Sequence, residues 1–271
     1  MTPDVEVIIV NFNTRVELAA CLVSLDEAMP RCVAKIVVVD NASTDGSAAM
    51  VRSRWKDVQV IELDRNIGFG PANNVALRQC REPLALLLNS DTGAPAGAVD
   101  LLRERMLATQ AVAAGPRLID GSGRPEVSFG RMLTPVRELV QRWRHRVAAH
   151  PNHWAASYLR RHLSRERFVD WVSGACLLLD VRAATAAGLF DERYFMYEED
   201  VDLCAALRAA GGRILFTPAA EIVHLRGRSP AAAAAGASQY DRSHLAFYDK
   251  HAPGWVPWLR VWQRLRGRRV R

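Results

Sequence analysis

Lys35-Ile36-Val37-Val38-Val39-Asp40-Asn41-Ala42-Ser43-Thr44-Asp45-Gly46 is an aliphatic run that ends abruptly in acids, amides and hydroxyls. Its apolar part is too short and too β-branched for a helix. It also does not alternate with polar residues, so it reads as a strand buried on both faces. Residues 5–10, 58–63 and 84–88 also read as strands, the last as continuously apolar, and residues 16–25, 47–55 and 72–79 between them place apolar side chains at helical spacing. Strands alternating with helices give βαβ units, and therefore an α/β protein with a mostly parallel central sheet. Ligands of such sheets bind in the crevice beyond the carboxyl ends of the strands.

Polar clusters stand where that crevice is expected. They are Asp40 to Ser43, Asn89-Ser90-Asp91 after the run 84–88, and Glu198-Glu199-Asp200 after the aromatic stretch 194–197. A site rich in carboxylates suits a hard divalent cation, whose usual client is a phosphate. The first strand ends in Val10-Asn11-Phe12-Asn13 without a GxGxxG, which argues against NAD or FAD. Asp40 either bonds a nucleobase or ribose, or belongs to a turn in which Ser43 or Thr44 caps the next helix. Asn66-Ile67-Gly68-Phe69-Gly70, continuing to Asn73 and Asn74, is either a plain turn or a loop whose glycines let a ligand approach a helix N-terminus. Asp91 either binds Mg²⁺ or Mn²⁺ or caps a helix near Pro95. Crowded together, Glu198, Glu199 and Asp200 favour a cation or a proton acceptor; the other reading is an acidic first turn on a helix dipole, which Asp202 fits. His224 is either a metal ligand or structural, with Arg226 or Arg228 placed to meet phosphate.

The 271 residues allow one large α/β domain or two small ones, and no apolar stretch is long enough to span a membrane. The N-terminus lacks the pattern of a secretory signal, and five scattered cysteines without a CxxC read as reduced thiols of a cytoplasmic protein. Of the +7 net charge, six arginines without an acid lie in residues 260–271. Residues 137–167 hold a second basic stretch of helical character, and 120–123 (Asp-Gly-Ser-Gly) signal a hairpin. Residues 169–180 read as a strand, 182–187 and 200–210 as helices closed by Gly188 and by Gly211-Gly212, and 213–216 and 221–224 as two short strands. A helix from the Ala-rich 230–237 to Tyr248 is broken at Pro253-Gly254, after which Trp255, Trp258, Leu259, Trp262 and Leu265 recur at helical spacing. No nucleic-acid motif accompanies the charge.

In this order the clusters resemble the GT-A (Rossmann-like) glycosyltransferases of family 2, especially the rhamnosyltransferase-like branch. The matching segments begin with Val7 to Asn13, Val38 to Gly46, Asn66 to Gly70 with Asn73-Asn74, and Leu88 to Asp91. They continue through Trp171-Val172-Ser173-Gly174-Ala175 and Phe190 to Asp202, and His224 closes the series. The resemblance implies a glycosyltransferase domain over residues 1–229, with a nucleotide-sugar-binding half (1–115) and an acceptor half (116–229), followed by a basic helical appendage (230–271). It implies that Asn11, Asn13, Asp40, Asn41, Ser43, Asn66, Gly68, Asn73, Asn89 and Ser90 serve the donor, best taken as dTDP-L-rhamnose with UDP- or GDP-sugars as alternatives. Asp91 and His224 would hold Mg²⁺ or Mn²⁺. Asp200 would be the base of an inverting transfer with Glu199 beside it, and Trp171, Gly174 and Glu198 would face the acceptor, a cell-surface glycan or a polyprenyl-diphosphate-linked saccharide. Because position 89 is asparagine, only one carboxylate remains of a DxD motif, which implies a metal held mainly through the diphosphate. Tryptophans beside arginines in 255–271 suit the anionic inner surface of a membrane. Sugar-phosphate nucleotidyl transfer would need a basic glycine-rich loop after the first strand, which Asn11 to Thr14 does not supply; a non-catalytic scaffold of glycan assembly is the remaining alternative.

Overall fold

The computed structural model describes residues 4–149, 156–225 and 230–265. The first part alternates as expected: β1 (Val5–Asn11), α1 (Arg15–Ala28), β2 (Val33–Asp40), α2 (Ser47–Arg54), β3 (Gln59–Glu62), α3 (Phe69–Leu77) and β4 (Leu84–Asn89). The chain continues through β5 (Thr92–Gly93), α4 (Ala98–Ala108), β6 (Ala113–Ile119), β7 (Phe129–Gly130), α5 (Pro135–Ala149), α6 (Ala156–Leu163), β8 (Arg167–Val169) and β9 (Trp171–Val172). It ends with β10 (Cys176–Asp180), α7 (Val181–Ala186), α8 (Glu199–Ala209), β11 (Ile214–His224), α9 (Pro230–His251) and α10 (Val256–Leu265).

The main sheet runs β3-β2-β1-β4-β10-β6-β11-β5, with β8 also paired to β11. Strands β3, β2, β1 and β4 are parallel, and β6 is parallel to β11. Between these blocks β10 runs antiparallel to both neighbours. Both faces are covered, which is why the strands carry continuous apolar runs. Val5, Val7 and Ile9 of β1, with Leu84, Leu86 and Leu88 of β4, join the core formed with α1 and α4. The alternate residues Ile8, Ala85 and Leu87 join the opposite core with α3, α7 and α8. Truncating a leucine such as Leu87 to alanine would cost about 2–5 kcal/mol.

Several local expectations change. Residues 169–180 are not one strand: β8 pairs with β11, β9 with β7 in a separate two-stranded sheet, and β10 with β4 and β6. The breaks fall at Asp170, whose buried carboxylate accepts from the Met132 amide at 2.8 Å and pairs with Arg208, and at the turn 173–175. The two short strands at 213–224 are instead one strand, β11, with a register irregularity between Thr217 and Glu221 around Pro218, which lacks an N–H for the ladder. The 137–167 stretch divides into α5, α6 and the start of β8, with 150–155 outside the described residues. The expected hairpin is present as a bridge from Ile119 to Pro125. All five cysteines are free thiols.

Candidate active site

A cavity of about 560 Å³ opens at the carboxyl ends of β1, β2 and β4. Its lining includes Phe12, Asn41, Asn66, Gly68, Asn89, Ser90 and Asp91 from the first part of the chain, and Trp171, Gly174, Glu198, Glu199, Asp200 and His224 from the second. Residues from all three sequence clusters therefore meet.

The second cluster is brought to its partner by a short ladder. β5 pairs antiparallel with β11 so that Thr92 stands opposite His224, and the Leu225 amide donates to the Asp91 carbonyl at 2.9 Å. His224 Nε2 consequently lies 3.4 Å from Asp91 Oδ1, while its Nδ1 lies 3.2 Å from Glu126 Oε2. Burial alone would depress the imidazole, but the bonds to Asp91 and Glu126 outweigh it and hold the pKa up to about 9. No cluster of three or more His, Cys, Asp or Glu side chains forms a metal centre among the described residues. One carboxylate oxygen and one imidazole nitrogen do fit a divalent cation whose remaining positions are filled by diphosphate and water, and Glu126 fixes the ring as an outer partner does. Ser90 is tied to Thr14 through a 2.8 Å bond between hydroxyls, and Asp91 does not cap α4, which begins after Gly97.

Around the first cluster, the structure separates lining residues from those behind them. Asn11, Asn13, Asp40, Ser43 and Asn73 do not line the cavity. Asn11 Nδ2 donates to Asp40 Oδ1 and to Ser43 Oγ, each at 3.0 Å. Asp40 Oδ2 accepts from the Ser43 amide at 2.9 Å, and Ser43 Oγ accepts from the Asn13 amide at 2.9 Å. These groups knit β1 to β2. Neither Ser43 nor Thr44 caps α2; Asp45 Oδ1 accepts from the Ser47 amide at 3.0 Å instead. Asn41 reaches the cavity wall and holds the glycine loop, donating to Asn66 Oδ1 at 2.9 Å and to the Gly68 carbonyl at 3.1 Å. Gly68 has φ +97°, and a Cβ there would stand 2.3 Å from the Phe195 carbonyl oxygen, so the loop presses directly on the segment before α8. Asn73 Nδ2 donates to the Phe69 carbonyl at 2.9 Å, and its Oδ1 is buried without a partner.

The third cluster sits at the N-terminus of α8, where the helix dipole favours negative charge. Tyr197 (φ +73°) and Glu198 (φ +67°) are successive non-glycine residues in the left-handed region, a strain of the kind stored at functional sites. Asp200 Oδ2 accepts from the Gly174 amide and Oδ1 from the Val201 amide, both at 2.8 Å. Burial raises the Asp200 pKa against these bonds. Glu199 is raised further, by burial and by the Asp200 charge, and its Oε2 is buried without a partner. Burial pushes Glu198 up to about 8. Asp202 faces away, accepting from Lys250 Nζ at 2.8 Å and from His251 Nε2 at 2.6 Å, so the first turn of α8 splits between the cavity and α9.

Some of the wall escaped the sequence reading. Glu138, Gln141 and Arg142 of α5 and Tyr240 of α9 line the cavity, and Glu126 orients His224. Glu138 Oε1 accepts from Tyr248 Oη at 2.5 Å and from His244 Nε2 at 2.8 Å. The one available signal was a lone acid in the basic stretch from Arg137 to Arg146. Arg226 and Arg228 lie outside the described residues.

An α/β sheet whose crevice gathers a paired carboxylate and histidine opposite a buried acidic helix start is the framework shared with glycosyltransferases. The family model for glycosyl transferase family 2 matches residues 6–166. The chain is 32% identical over 280 residues to the N-acetylglucosaminyl-diphospho-decaprenol L-rhamnosyltransferase of Mycobacterium tuberculosis, covering 96% of this chain and 89% of that protein. Rhamnosyltransferase WbbL of Escherichia coli is 41% identical over 56 residues, 21% of either chain. The chain belongs to glycosyl transferase family 2. Its GT-A fold is shared with GalNAc-T7 in complex with UDP, GalNAc and Mn²⁺ (TM-score 0.65, 15% identity, 91% of this chain and 48% of that one). It is shared too with the mannosyltransferase PcManGT of Pyrobaculum calidifontis in complex with GDP-Man and Mn²⁺ (TM-score 0.62, 19% identity, 96% and 68%).

Proposed function

We propose that this glycosyltransferase moves L-rhamnose from dTDP-L-rhamnose, with inversion, to a hydroxyl of a polyprenyl-diphosphate-linked saccharide. The observation that carries the reading is Asp200. It is fixed by the Gly174 and Val201 amides in the same cavity as Asp91 and His224. The sugar and acceptor assignments are supported by the activity for which the Mycobacterium tuberculosis relative is named and by its match to nearly the whole chain.

Asn41, Asn66, Gly68 and Ser90 form the donor wall, and Asp40 with Asn11 and Ser43 keeps that wall in place. Asp91 and His224 would hold Mg²⁺ or Mn²⁺, which when bound offsets charge on the departing diphosphate. Asp200 takes the proton of the acceptor hydroxyl as that oxygen bonds to the anomeric carbon. The bond from this carbon to the diphosphate oxygen breaks, and the nucleoside diphosphate leaves with its electron pair. A raised carboxylate pKa suits a base working near neutrality, and such a base contributes about 10²–10⁴ in rate. Glu199 supports it, while Trp171, Gly174 and Glu198 shape the acceptor side. Residues 1–115 then serve the donor, 116–229 the acceptor, and 255–271 the anionic inner membrane surface. Among the described residues no helix is long and apolar enough to cross a membrane.

The test is a thermal-shift screen of dTDP, UDP, GDP, CDP and ADP with Mg²⁺, Mn²⁺ or EDTA. A ligand at a hundred times its dissociation constant adds about 2.7 kcal/mol of stability. A metal-dependent shift with dTDP alone is expected. A shift with UDP or GDP in its place discards the rhamnose donor, and no shift with any nucleotide discards the transfer reading.

A further inference from the structure

The two sides of α5 are built for different surroundings. At about 100° per residue, Glu138, Gln141 and Arg142 fall on one side and line the cavity. Val136, Leu139, Val140 and Trp143, at positions i, i+3, i+4 and i+7, fall on the opposite side and are 68%, 65%, 44% and 40% exposed. Such a row is normally turned toward a core. One turn on, Val147 continues it and is buried in the same core cluster as Leu163 of α6, so the row is uncovered for two turns only. Arg137 and Arg144 border the row on one side and Arg146 on the other, and Arg137 and Arg146 are exposed. The single acid of the first two turns, Glu138, is buried against His244 and Tyr248.

An apolar row bordered on both sides by guanidinium groups complements one kind of partner. Apolar side chains enter the acyl boundary while the arginines meet phosphate headgroups. A second row supports this. Trp255, Trp258 and Val261 beside and on α10 are exposed, while Val256 and Leu259 pack into the small core against which Met132 and Leu133, the entry to α5, also rest.

We propose that the outer face of α5 docks on an anionic lipid bilayer, which sets the cavity lined by its inner face about one helix diameter, ~10 Å, from the membrane surface. The delivery of a lipid-linked acceptor to that cavity rests on the function proposed above; the docking itself does not.

The experiment is co-sedimentation of the full chain with vesicles of phosphatidylcholine alone or with about one third phosphatidylglycerol. Binding to the anionic vesicles, weakened by salt, is expected. V136E/L139E should lower the partition coefficient at least about tenfold, and Arg137→Glu about fivefold, since each basic residue near such a surface contributes about that factor. The same variants should keep the thermal midpoint and transfer to a water-soluble acceptor. Should V136E/L139E fail to fold, Arg137→Glu decides. Absence of wild-type binding overturns the proposal, as does unchanged binding of the folded variants. So does a dimer in sedimentation velocity that the same substitutions disperse, because the face would then belong to a second copy. Vesicle binding without any glycosyl transfer would instead overturn the proposed function and leave this surface standing.

Discussion

The backbone N–H of Gly174 donates to Oδ2 of Asp200 at 2.8 Å, across 26 positions of sequence. The bond joins the turn between β9 and β10 to the first turn of α8. It leaves the carboxylate ionisable but oriented, with the Val201 amide holding the other oxygen. Orientation and a raised pKa together make this the group whose chemistry is most exposed to test.

Asp200→Asn keeps the shape but cannot take a proton, and its single amide oxygen can accept from only one of the two backbone N–H groups that hold the carboxylate. Transfer should fall by two or more decades, while the nucleotide-induced thermal shift stays as in the wild type. Near-normal turnover would remove Asp200 from the base role.

Gly174→Ala tests positioning. Its Cβ would stand 3.2 Å from Phe69 Cε1 and 3.3 Å from Asp200 Cβ, so Asp200 must give by a few tenths of an ångström. Displacements of this order at a reacting group are costly, and kcat should fall about tenfold with KM for the donor nearly unchanged. A rise in KM at constant kcat would place Gly174 at the donor instead.

Asp91→Ala removes one of the two protein groups that fit a cation. Its nucleoside diphosphate affinity should drop at least about tenfold in Mn²⁺ and match the wild type in EDTA. His224→Ala should behave likewise, because the β5–β11 ladder presents the two side chains as a unit. Equal losses in Mn²⁺ and EDTA would indicate a structural role for the pair.

The fold was legible in the sequence because burial on both sheet faces writes itself as runs such as Leu84 to Leu88, and because the turns after them hold polar residues. The lining at Asn41, Asn66, Asp91, Asp200 and His224 was legible for the same reason: each follows such a run or opens a helix. The division between lining and support was not. Asp40 and Asn41 are neighbours, yet one is locked to Asn11 and Ser43 while the other turns to the glycine loop. Chain position alone does not distinguish these orientations. Glu138 and Tyr240 were missed because α5 and α9 reach the cavity by tertiary packing, which leaves no local pattern beyond one acid among arginines.

That acid carries the last prediction. Glu138 is buried with His244 and Tyr248, and its pKa is lowered: burial opposes the charge, but the His244 bond and charge, Tyr248 and Arg142 together outweigh it. His244 is raised in turn, its bond to Glu138 overcoming burial. A histidine raised in the fold contributes stability that is complete below its unfolded value near 6.5 and is lost as pH rises through the folded value. The lowered Glu138 contributes above about 4.5 and is lost as pH falls through its own folded value. The thermal midpoint of the wild type should therefore decline on the alkaline side of pH 6.5 by this contribution. Glu138→Gln leaves a neutral acceptor, so burial then depresses His244 and the slope over the same range should flatten or reverse. The variant should also lose about 1–3 kcal/mol near pH 6, where the charged pair is complete. Parallel wild-type and variant midpoints from pH 5 to 9 would show that His244 does not change charge with the fold, and that the network holds α5 to α9 by neutral bonds alone.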